Sequence, residues 1–137
     1  MNAYIDSSVL LRLVFGEEQV LEAWDRITRP VSSGLIRVEC LRALDRARLS
    51  FRLDDGLVAE RRSALLELIS SLELVPVTNS VLERASEPFP TTIGSLDAIH
   101  LATALAVRDQ LEPLVLATHD RELALAGRSV GFEVEGA

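Results

Sequence analysis

One stretch of the sequence, a predicted helix that begins at Ser95, restricts the fold more than any other. Within residues 96–107 only Asp97, His100 and Thr103 are polar, and alanines occur throughout. Alanine is the strongest helix former, and a helix that is apolar on nearly all sides is buried on most of them. The rest of the chain is therefore expected to pack around this helix.

Asp97 is the residue of this helix that needs an explanation. Successive residues of a helix turn by about 100°, so Asp97 shares a face with Leu101 and Ala104. An ionised carboxylate on an apolar face needs a partner. If Ser95 caps the helix, Asp97 lies in the first turn, where the helix dipole favours an anion. A shared acidic pocket is the other explanation, and the helix alone does not decide between them.

Short apolar runs alternate with helical patterns along the rest of the chain. Strands are predicted at residues 3–5, 30–33, 74–77, 114–117 and 130–134, and Pro76 places the third strand at a sheet edge. Helices are predicted at residues 9–15, 17–27, 35–49, 54–71, 79–84 and 95–107, with a short one ending at residue 126. Asn79 is the predicted cap of the helix that ends at residue 84. This alternation predicts an α/β fold whose five-stranded, mostly parallel sheet is covered on both faces.

Composition and chain length further restrict the domain organisation and the cellular location expected of this protein. The 137 residues, with no linker or repeat among them, predict a single domain spanning residues 1–137. The chain contains no run of eighteen apolar residues, so no membrane span is predicted. The amino terminus lacks the basic segment of a signal peptide. The single cysteine, Cys40, excludes an internal disulfide and a cysteine metal site. The cytoplasm is the expected location.

The charge pattern bears on nucleic acid as a partner. A net charge of −7 argues against broad, nonspecific affinity for nucleic acid. All fourteen basic residues are arginine, however, and half of them lie between Arg37 and Arg62. Arginine suits bidentate contacts to phosphate, although a compositional bias toward arginine explains the same pattern.

Four acids are expected at one edge of the sheet. Asp6 directly follows the first strand, Asp120 follows the fourth, and Glu39 lies in the first turns of the helix after the second strand. Asp97 reaches the same edge if its helix packs there. Ligands of such sheets gather beyond the carboxyl ends of the strands, where the strand order reverses. Crowded carboxylates repel unless a cation compensates, and oxygen ligands suit Mg²⁺ or Mn²⁺.

Each of these residues also has a structural explanation. Asp6 and Asp120 could cap the helices that follow them, and Glu39 could be a solvated residue on a helix face. Ser7 and Thr118 are most often turn or capping hydroxyls, though either could reach a metal-bound water. His100 is expected to be an ordinary histidine of the core or its rim. His119 is expected to be a loop residue, although it could also lie near phosphate.

Several other folds that place an acid after the first strand lack their further motifs here. A receiver domain and a haloacid-dehalogenase-type phosphatase use a lysine, which this chain lacks, and the latter needs a second Asp where Ser8 stands. The P-loop, the GxGxxG dinucleotide motif and the GxSxG nucleophile elbow are also absent.

Four segments of the sequence together resemble the PIN domain family, and within it the VapC toxins of bacterial type II toxin–antitoxin pairs. The segments are residues 4–8, 38–44, 96–104 and 118–123, of which the third is the most specific. The resemblance covers residues 4–134 and implies a PIN-like α/β/α sandwich.

The resemblance also implies a site and its partners. In the family, four acids surround Mg²⁺ or Mn²⁺ and the protein cleaves RNA. The matching residues here are Asp6, Glu39, Asp97 and Asp120, of which the last varies most across the family. Two hydroxyls of the family pattern match Ser7 and Thr118. A homodimer and a cognate VapB-type antitoxin that covers the site are implied too.

Metal-assisted hydrolysis of RNA phosphodiester bonds is the mechanism that follows, with a metal-activated water as the nucleophile. Arg42 and Arg46 share the side of the helix that carries Glu39 and are candidates for phosphate contacts. The main alternative function is a PIN-like binding or regulatory module with weak catalysis, acting on DNA through its antitoxin complex. A DNA-directed nuclease is a weaker alternative.

Overall fold

Strands and helices alternate in the computed structural model, which describes residues 1–16 and 19–137. The strands are β1 (Asn2–Ile5), β2 (Arg29–Ser33), β3 (Glu73–Val75), β4 (Leu114–Ala117) and β5 (Glu133–Glu135). The α-helices are α1 (Ser7–Phe15), α2 (Leu35–Phe51), α3 (Asp55–Ser70), α4 (Asn79–Ala85), α5 (Ser95–Arg108) and α6 (Arg121–Ser129). None of these helices has both the length and the apolar character needed to cross a bilayer.

The five strands form one parallel sheet in the order β3-β2-β1-β4-β5. β1 is central, and β3 lies at an edge, as Pro76 predicts. The fifth strand begins later than the predicted residues 130–134, because Val130 and Gly131 form the turn that ends α6. Gly131 has φ +92°, a left-handed conformation that favours glycine, so the strand starts only after it.

Alternate residues of β1 face two separate layers of helices. Ala3 and Ile5 pack in a core with residues of α1, α2 and α3, whereas Tyr4 packs in a second core with residues of α5 and α6. Side chains of a strand alternate between the two faces of a sheet, so the fully buried residues 3–5 of β1 need a cover on each side. The predicted α/β/α sandwich is confirmed.

Two helices begin one residue away from the predicted cap. Gly94, in an extended conformation, is the N-cap of α5, so Ser95 is its first helical residue rather than its cap. Thr78 rather than Asn79 caps α4, and its hydroxyl accepts a hydrogen bond from a backbone N–H of the first turn. Asp97 still lies in the first turn of α5, as the sequence predicts.

The predicted helix over residues 17–27 is wrong for residues 19–27, while residues 17 and 18 lie outside the described part of the chain. Gln19 has φ +62°, which is incompatible with an α-helix, and the segment contains only a short 3₁₀ turn, Trp24–Arg26. Leu21 and Ala23 are buried, so apolar contacts rather than helix formation explain the apolar spacing.

Candidate active site

The strand order reverses between β1 and β4, at the carboxyl end of the sheet. The chain leaves β1 toward β2 and leaves β4 toward β5, so the two connections diverge and open a crevice, the usual place for a ligand. A cavity of about 420 Å³ lies there. Its lining includes all four predicted acids and the first predicted hydroxyl residue: Asp6, Glu39, Asp97, Asp120 and Ser7.

Asp6 lies at the end of β1, is 4% exposed and caps α1. Its Oδ2 accepts hydrogen bonds from Ser8 Oγ at 2.6 Å, from Thr118 Oγ1 at 2.9 Å and from the Ser8 backbone N–H at 3.4 Å. The capping interpretation of Asp6 is therefore correct. Capping does not remove Asp6 from the cavity, because its carboxylate also lies among the lining residues.

Ser8 is a residue of the site that the sequence analysis missed in favour of Ser7. Its hydroxyl donates to Asp6 and accepts a hydrogen bond from the backbone N–H of His119 at 2.9 Å. Ser8 therefore joins the segment after β1 to the segment after β4. The available signal was the spacing, since a hydroxyl two residues after a capping Asp lies in the first turn beside the carboxylate.

Thr118 is fully buried behind Asp6 rather than in the lining of the cavity. Its Oγ1 donates to Asp6 and accepts a hydrogen bond from the backbone N–H of Asp120 at 3.0 Å. Asp120 in turn caps α6, because its Oδ1 accepts from the Leu123 N–H at 2.9 Å. The capping interpretation is thus correct for Asp120 as well, while its carboxylate lines the same cavity.

Glu39 points from α2 toward α5 and is not a solvated residue of a helix face. Its side chain is 16% exposed, and Oε1 makes a short hydrogen bond with Nε2 of His100. His100 is fully buried, and its Nδ1 lies 2.7 Å from the hydroxyl oxygen of Tyr4. Both ring nitrogens therefore have partners, which confirms the expectation of a satisfied core histidine.

The electrostatics of the cavity are dominated by negative charge. The pKa of Asp97 is raised to about 6, first by burial and then by the charges of Asp120, Asp6 and Glu39, against an opposing effect of His100. Burial alone would lower the pKa of His100, but its hydrogen bond to Glu39 and the nearby carboxylates raise it overall. The neighbouring carboxylates thus lie close enough to Asp97 to disfavour its charged form.

The donor set fits a hard divalent cation by its chemistry. Carboxylate oxygens are the preferred ligands of Mg²⁺ and Mn²⁺, and the negative charge around Asp97 favours a cation. Among the described residues, however, no three His, Cys, Asp or Glu side chains form a group that could already hold a metal ion.

The remaining predicted residues lie outside the cavity lining. Arg42 is 63% exposed and pairs with Asp45 at 3.2 Å, and Arg46 is exposed on the same helix. His119 places Nδ1 2.9 Å from the carbonyl oxygen of Gly136, whereas its buried Nε2 has no hydrogen-bond partner among the described residues. Neither arginine is held in place by the carboxylates of the cavity.

A larger cavity of about 750 Å³ lies at the far end of α1, against α3. Its lining is mostly apolar and includes Phe15, Trp24 and Leu68, with Glu60 and Glu67 among the polar residues. It contains none of the four predicted acids, so size alone does not identify the chemical site.

These observations define an α/β/α protein with an acidic cavity at the reversal point of a parallel sheet. The sequence model of one family, the PIN domain, matches residues 3–128. The chain belongs to the PIN domain family, as the four sequence segments indicated.

Relatives of known name agree with this assignment. Two proteins of Mycobacterium tuberculosis are similar over nearly their whole length. Ribonuclease VapC47 of strain CDC 1551 / Oshkosh is 32% identical, with 94% of this chain and 92% of the relative covered. Ribonuclease VapC46 of strain ATCC 25618 / H37Rv is 35% identical, with 96% and 94% covered. The resemblance to VapC proteins is thereby confirmed.

A solved structure shows the same fold at much lower sequence similarity. A chain of a toxin–antitoxin complex from Klebsiella pneumoniae superposes with a TM-score of 0.64 at 17% identity. The match covers 90% of this chain and 91% of the other. At this identity the similarity concerns the fold alone.

Proposed function

We propose that this protein is a metal-dependent ribonuclease of the VapC type, the toxin of a toxin–antitoxin pair. One observation carries the proposal: carboxylates from four separate segments line one cavity where the strand order reverses. The names of the two mycobacterial relatives support RNA as the substrate. We assign the catalytic and metal-ligating roles to Asp6, Glu39, Asp97 and Asp120.

The chain's residues prepare this cavity for Mg²⁺ or Mn²⁺. Such an ion, when bound, supplies a hydroxide at neutral pH and stabilises charge on the phosphate oxygens. Asp6 is oriented by Ser8 and Thr118, and Glu39 is oriented by His100. No side-chain nucleophile is needed, because water attacks phosphorus in line and leaves a 5′-phosphate and a 3′-hydroxyl.

Cleavage of RNA by purified, antitoxin-free protein tests this function. We expect discrete fragments from total RNA with Mg²⁺ or Mn²⁺, abolished by EDTA and by Asp97→Asn. Asp109→Asn, an exposed acid at the opposite end of α5, is the matched control and should cleave like the wild type. The fragment ends identify the target sequence.

The competing functions predict different results in the same experiment. No cleavage of RNA by folded, antitoxin-free protein with either metal would contradict the ribonuclease and favour the binding or regulatory module. Cleavage of DNA but not of RNA would favour the DNA-directed nuclease. EDTA-resistant cleavage, or cleavage retained by Asp97→Asn, would contradict the metal-dependent mechanism at this cavity.

Arg42 and Arg46 are proposed to contact RNA phosphates beside the cavity. Both are exposed and lie on α2, which also carries Glu39. Replacing both with Ala should weaken RNA binding and lower the slope of log Kd against log salt by about 1.5, since two phosphate contacts are lost. The double variant Arg26→Ala/Arg29→Ala, at the opposite end of the sheet, removes the same charge and should change neither quantity appreciably.

The assembly is the second part of the proposal. The similar fold of a chain in the toxin–antitoxin complex from Klebsiella pneumoniae supports an antitoxin partner, which we propose is of the VapB type and covers the acidic cavity. We also propose a cytoplasmic homodimer, with residues 1–137 forming one domain. Leu49 and Phe51 are 64% and 76% exposed at the end of α2, and apolar surface of this kind is common at interfaces. Sedimentation of the antitoxin-free protein measures the oligomeric state.

A further inference from the structure

Three elements meet in a short hydrogen-bonded array behind the acidic cavity. Tyr4 of β1 and His100 of α5 are fully buried, and Glu39 of α2 is the member that reaches the cavity. The Tyr4 hydroxyl lies 2.7 Å from Nδ1 of His100, and the two rings meet edge to face. Nε2 of the same ring bonds Oε1 of Glu39.

The chemistry of the array fixes the donor of the hydrogen bond to Glu39. An ionised Glu39 can only accept, so the proton of this bond belongs to Nε2 of His100. In the neutral ring Nδ1 accepts a hydrogen bond from the Tyr4 hydroxyl, and in the protonated ring Nδ1 donates to the Tyr4 oxygen, so Nε2 donates to Glu39 in both forms. Burial raises the pKa of the Tyr4 phenol, so the phenol stays protonated. Each member thereby holds the next, from the central strand to the edge of the cavity.

The surroundings of His100 indicate that this array serves more than packing. Its neighbours on α5, Leu101 and Ala104, are fully buried in an apolar core. A histidine there loses hydration, a cost that an apolar residue of similar size avoids. The imidazole instead directs one N–H to a carboxylate that lines the cavity. A ligating carboxylate is commonly oriented in this way by a hydrogen-bond donor behind it.

We infer that His100 is a positioning residue that holds the Glu39 carboxylate for the divalent cation, and that Tyr4 fixes the orientation of the imidazole ring. The inference rests on the proposed metal-dependent function. His100 touches neither substrate nor ion in this arrangement and acts through Glu39. Its loss should therefore weaken metal binding without removing a ligand.

Two substitutions of His100 separate positioning from packing. The amide nitrogen of a Gln side chain can reach the position of Nε2, whereas that of Asn ends near Nδ1 and cannot reach Glu39. The measurement is the Kd of Mn²⁺ for the full chain by isothermal titration calorimetry. His100→Asn should weaken binding by about tenfold, while His100→Gln should stay within about threefold of the wild type.

A Glu39→Gln background tests whether His100 acts through Glu39. In that background His100→Asn should add little further weakening, because the group that it positions is already changed. Equal weakening by His100→Gln and His100→Asn, unchanged binding in His100→Asn, or additive effects with Glu39→Gln would overturn the inference. If the wild type itself binds no Mn²⁺, the proposed function fails instead, so the two failures are distinguishable.

Tyr4→Phe keeps the inference testable if circular dichroism shows that His100→Asn does not fold. This variant leaves the Nε2 contact in place and removes only the partner of Nδ1. We expect Mn²⁺ binding weakened about threefold, less than the roughly tenfold loss expected when the donor to Glu39 is itself removed. Unchanged Mn²⁺ binding by folded Tyr4→Phe would contradict the role assigned to Tyr4.

Discussion

The two oxygens of Asp6 have different surroundings. Oδ2 accepts hydrogen bonds from Ser8 and Thr118, so its donors come from the segments after both central strands. Oδ1 lies 3.9 Å from Nε2 of His100, too far for a hydrogen bond. One oxygen therefore orients the carboxylate while the other stays free of these donors, an arrangement suited to a ligand that must be both fixed and available.

Replacing Ser8 tests how far this orientation contributes to stability. Ser8→Ala removes a donor to Asp6 and leaves the His119 N–H without its acceptor, so it should lower the free energy of unfolding by about 1–3 kcal/mol. Ser7→Ala, at the neighbouring position that lines the cavity, should change it by less than about 0.5 kcal/mol. Urea unfolding of both variants measures the difference, and equal losses would contradict the assignment.

The raised pKa of Asp97 predicts a pH-dependent cost of ionising this carboxyl. Its pKa is about 6 in the folded chain and 3.8 in the absence of the fold. The protonated Asp97 carboxyl therefore makes its full contribution to the free energy of unfolding below about pH 4. This contribution is lost as Asp97 ionises, while the pH rises through about 6. Above pH 6, Asp97→Asn should therefore be more stable than the wild type, by about 1 kcal/mol after allowance for solvent screening of this half-buried group.

Chemical unfolding in EDTA at several pH values measures this effect. The stability gap between Asp97→Asn and the wild type should widen between pH 4 and 6 and then level off. Asp109→Asn, exposed at the other end of α5, should show no such trend. A gap that is constant with pH would mean that Asp97 is not destabilised by the cavity.

Which residues form the site was easier to predict from the sequence than which of them contact each other. The rule for parallel sheets placed Asp6 and Asp120 at one edge from sequence alone, because each directly follows a strand. The bond between His100 and Glu39 joins residues 61 positions apart on two helices, and no local pattern encodes it.

The close packing of α6 against β4 depends on Gly127, because glycine has no Cβ. A Cβ at Gly127 would lie 2.4 Å from Cδ2 of Leu116, which is fully buried. Gly127→Ala should therefore cost about 1–3 kcal/mol of overpacking, against about 1 kcal/mol gained in helix propensity. We expect a net loss of about 1 kcal/mol in thermal unfolding.

A second glycine gives the control for this substitution. A Cβ at Gly34, which precedes α2, would meet only the Val75 carbonyl oxygen at an ordinary 3.7 Å. Gly34→Ala should change the free energy of unfolding by less than about 0.5 kcal/mol. A stabilised Gly127→Ala would show that Leu116 adopts another rotamer freely and that the contact is not restrictive.

Helices with a long apolar periodicity were predictable from the sequence. The segment at residues 19–27 was not, because it has helical apolar spacing but a non-helical backbone. α2 and α5 were located to within about two residues by their long helical patterns. The spacing of Val20, Leu21 and Trp24 also suggested a helix, yet this segment must lead back to the start of β2. The backbone N–H of Thr28 bonds the Met1 carbonyl at 3.0 Å, so tertiary contacts outweigh helix propensity here.

For the molecule as a whole, the acidic cavity concentrates like charge where four segments converge. Two carboxylates follow central strands and two come from α2 and α5, so closing the fold brings the negative charges together. The pKa of Asp97 is raised first by burial and then by the charges of Asp120 and Asp6, so both effects of this convergence disfavour its ionised form. A divalent cation offsets such repulsion in the folded chain only, because the unfolded chain does not gather the carboxylates.

Divalent ions should therefore stabilise the whole fold. Mg²⁺ at one hundred times its Kd should add about 2.7 kcal/mol to the free energy of unfolding, a rise of about 5–10 °C in Tm for a chain of this size. Asp97→Asn and Glu39→Gln should lose most of this rise, whereas Asp109→Asn should keep it. Because Asp97 must lose its proton to bind, the rise should shrink below pH 6.

Differential scanning calorimetry with Mg²⁺, with EDTA and with NaCl of equal ionic strength measures this stabilisation. NaCl screens the carboxylates without bridging them, so it should give a much smaller rise in Tm than Mg²⁺. An equal rise in NaCl, or an unchanged Mg²⁺ effect in Asp97→Asn, would mean that the ion does not bind among these carboxylates. Stabilisation of the fold by Mg²⁺ would then come from binding outside the proposed catalytic site.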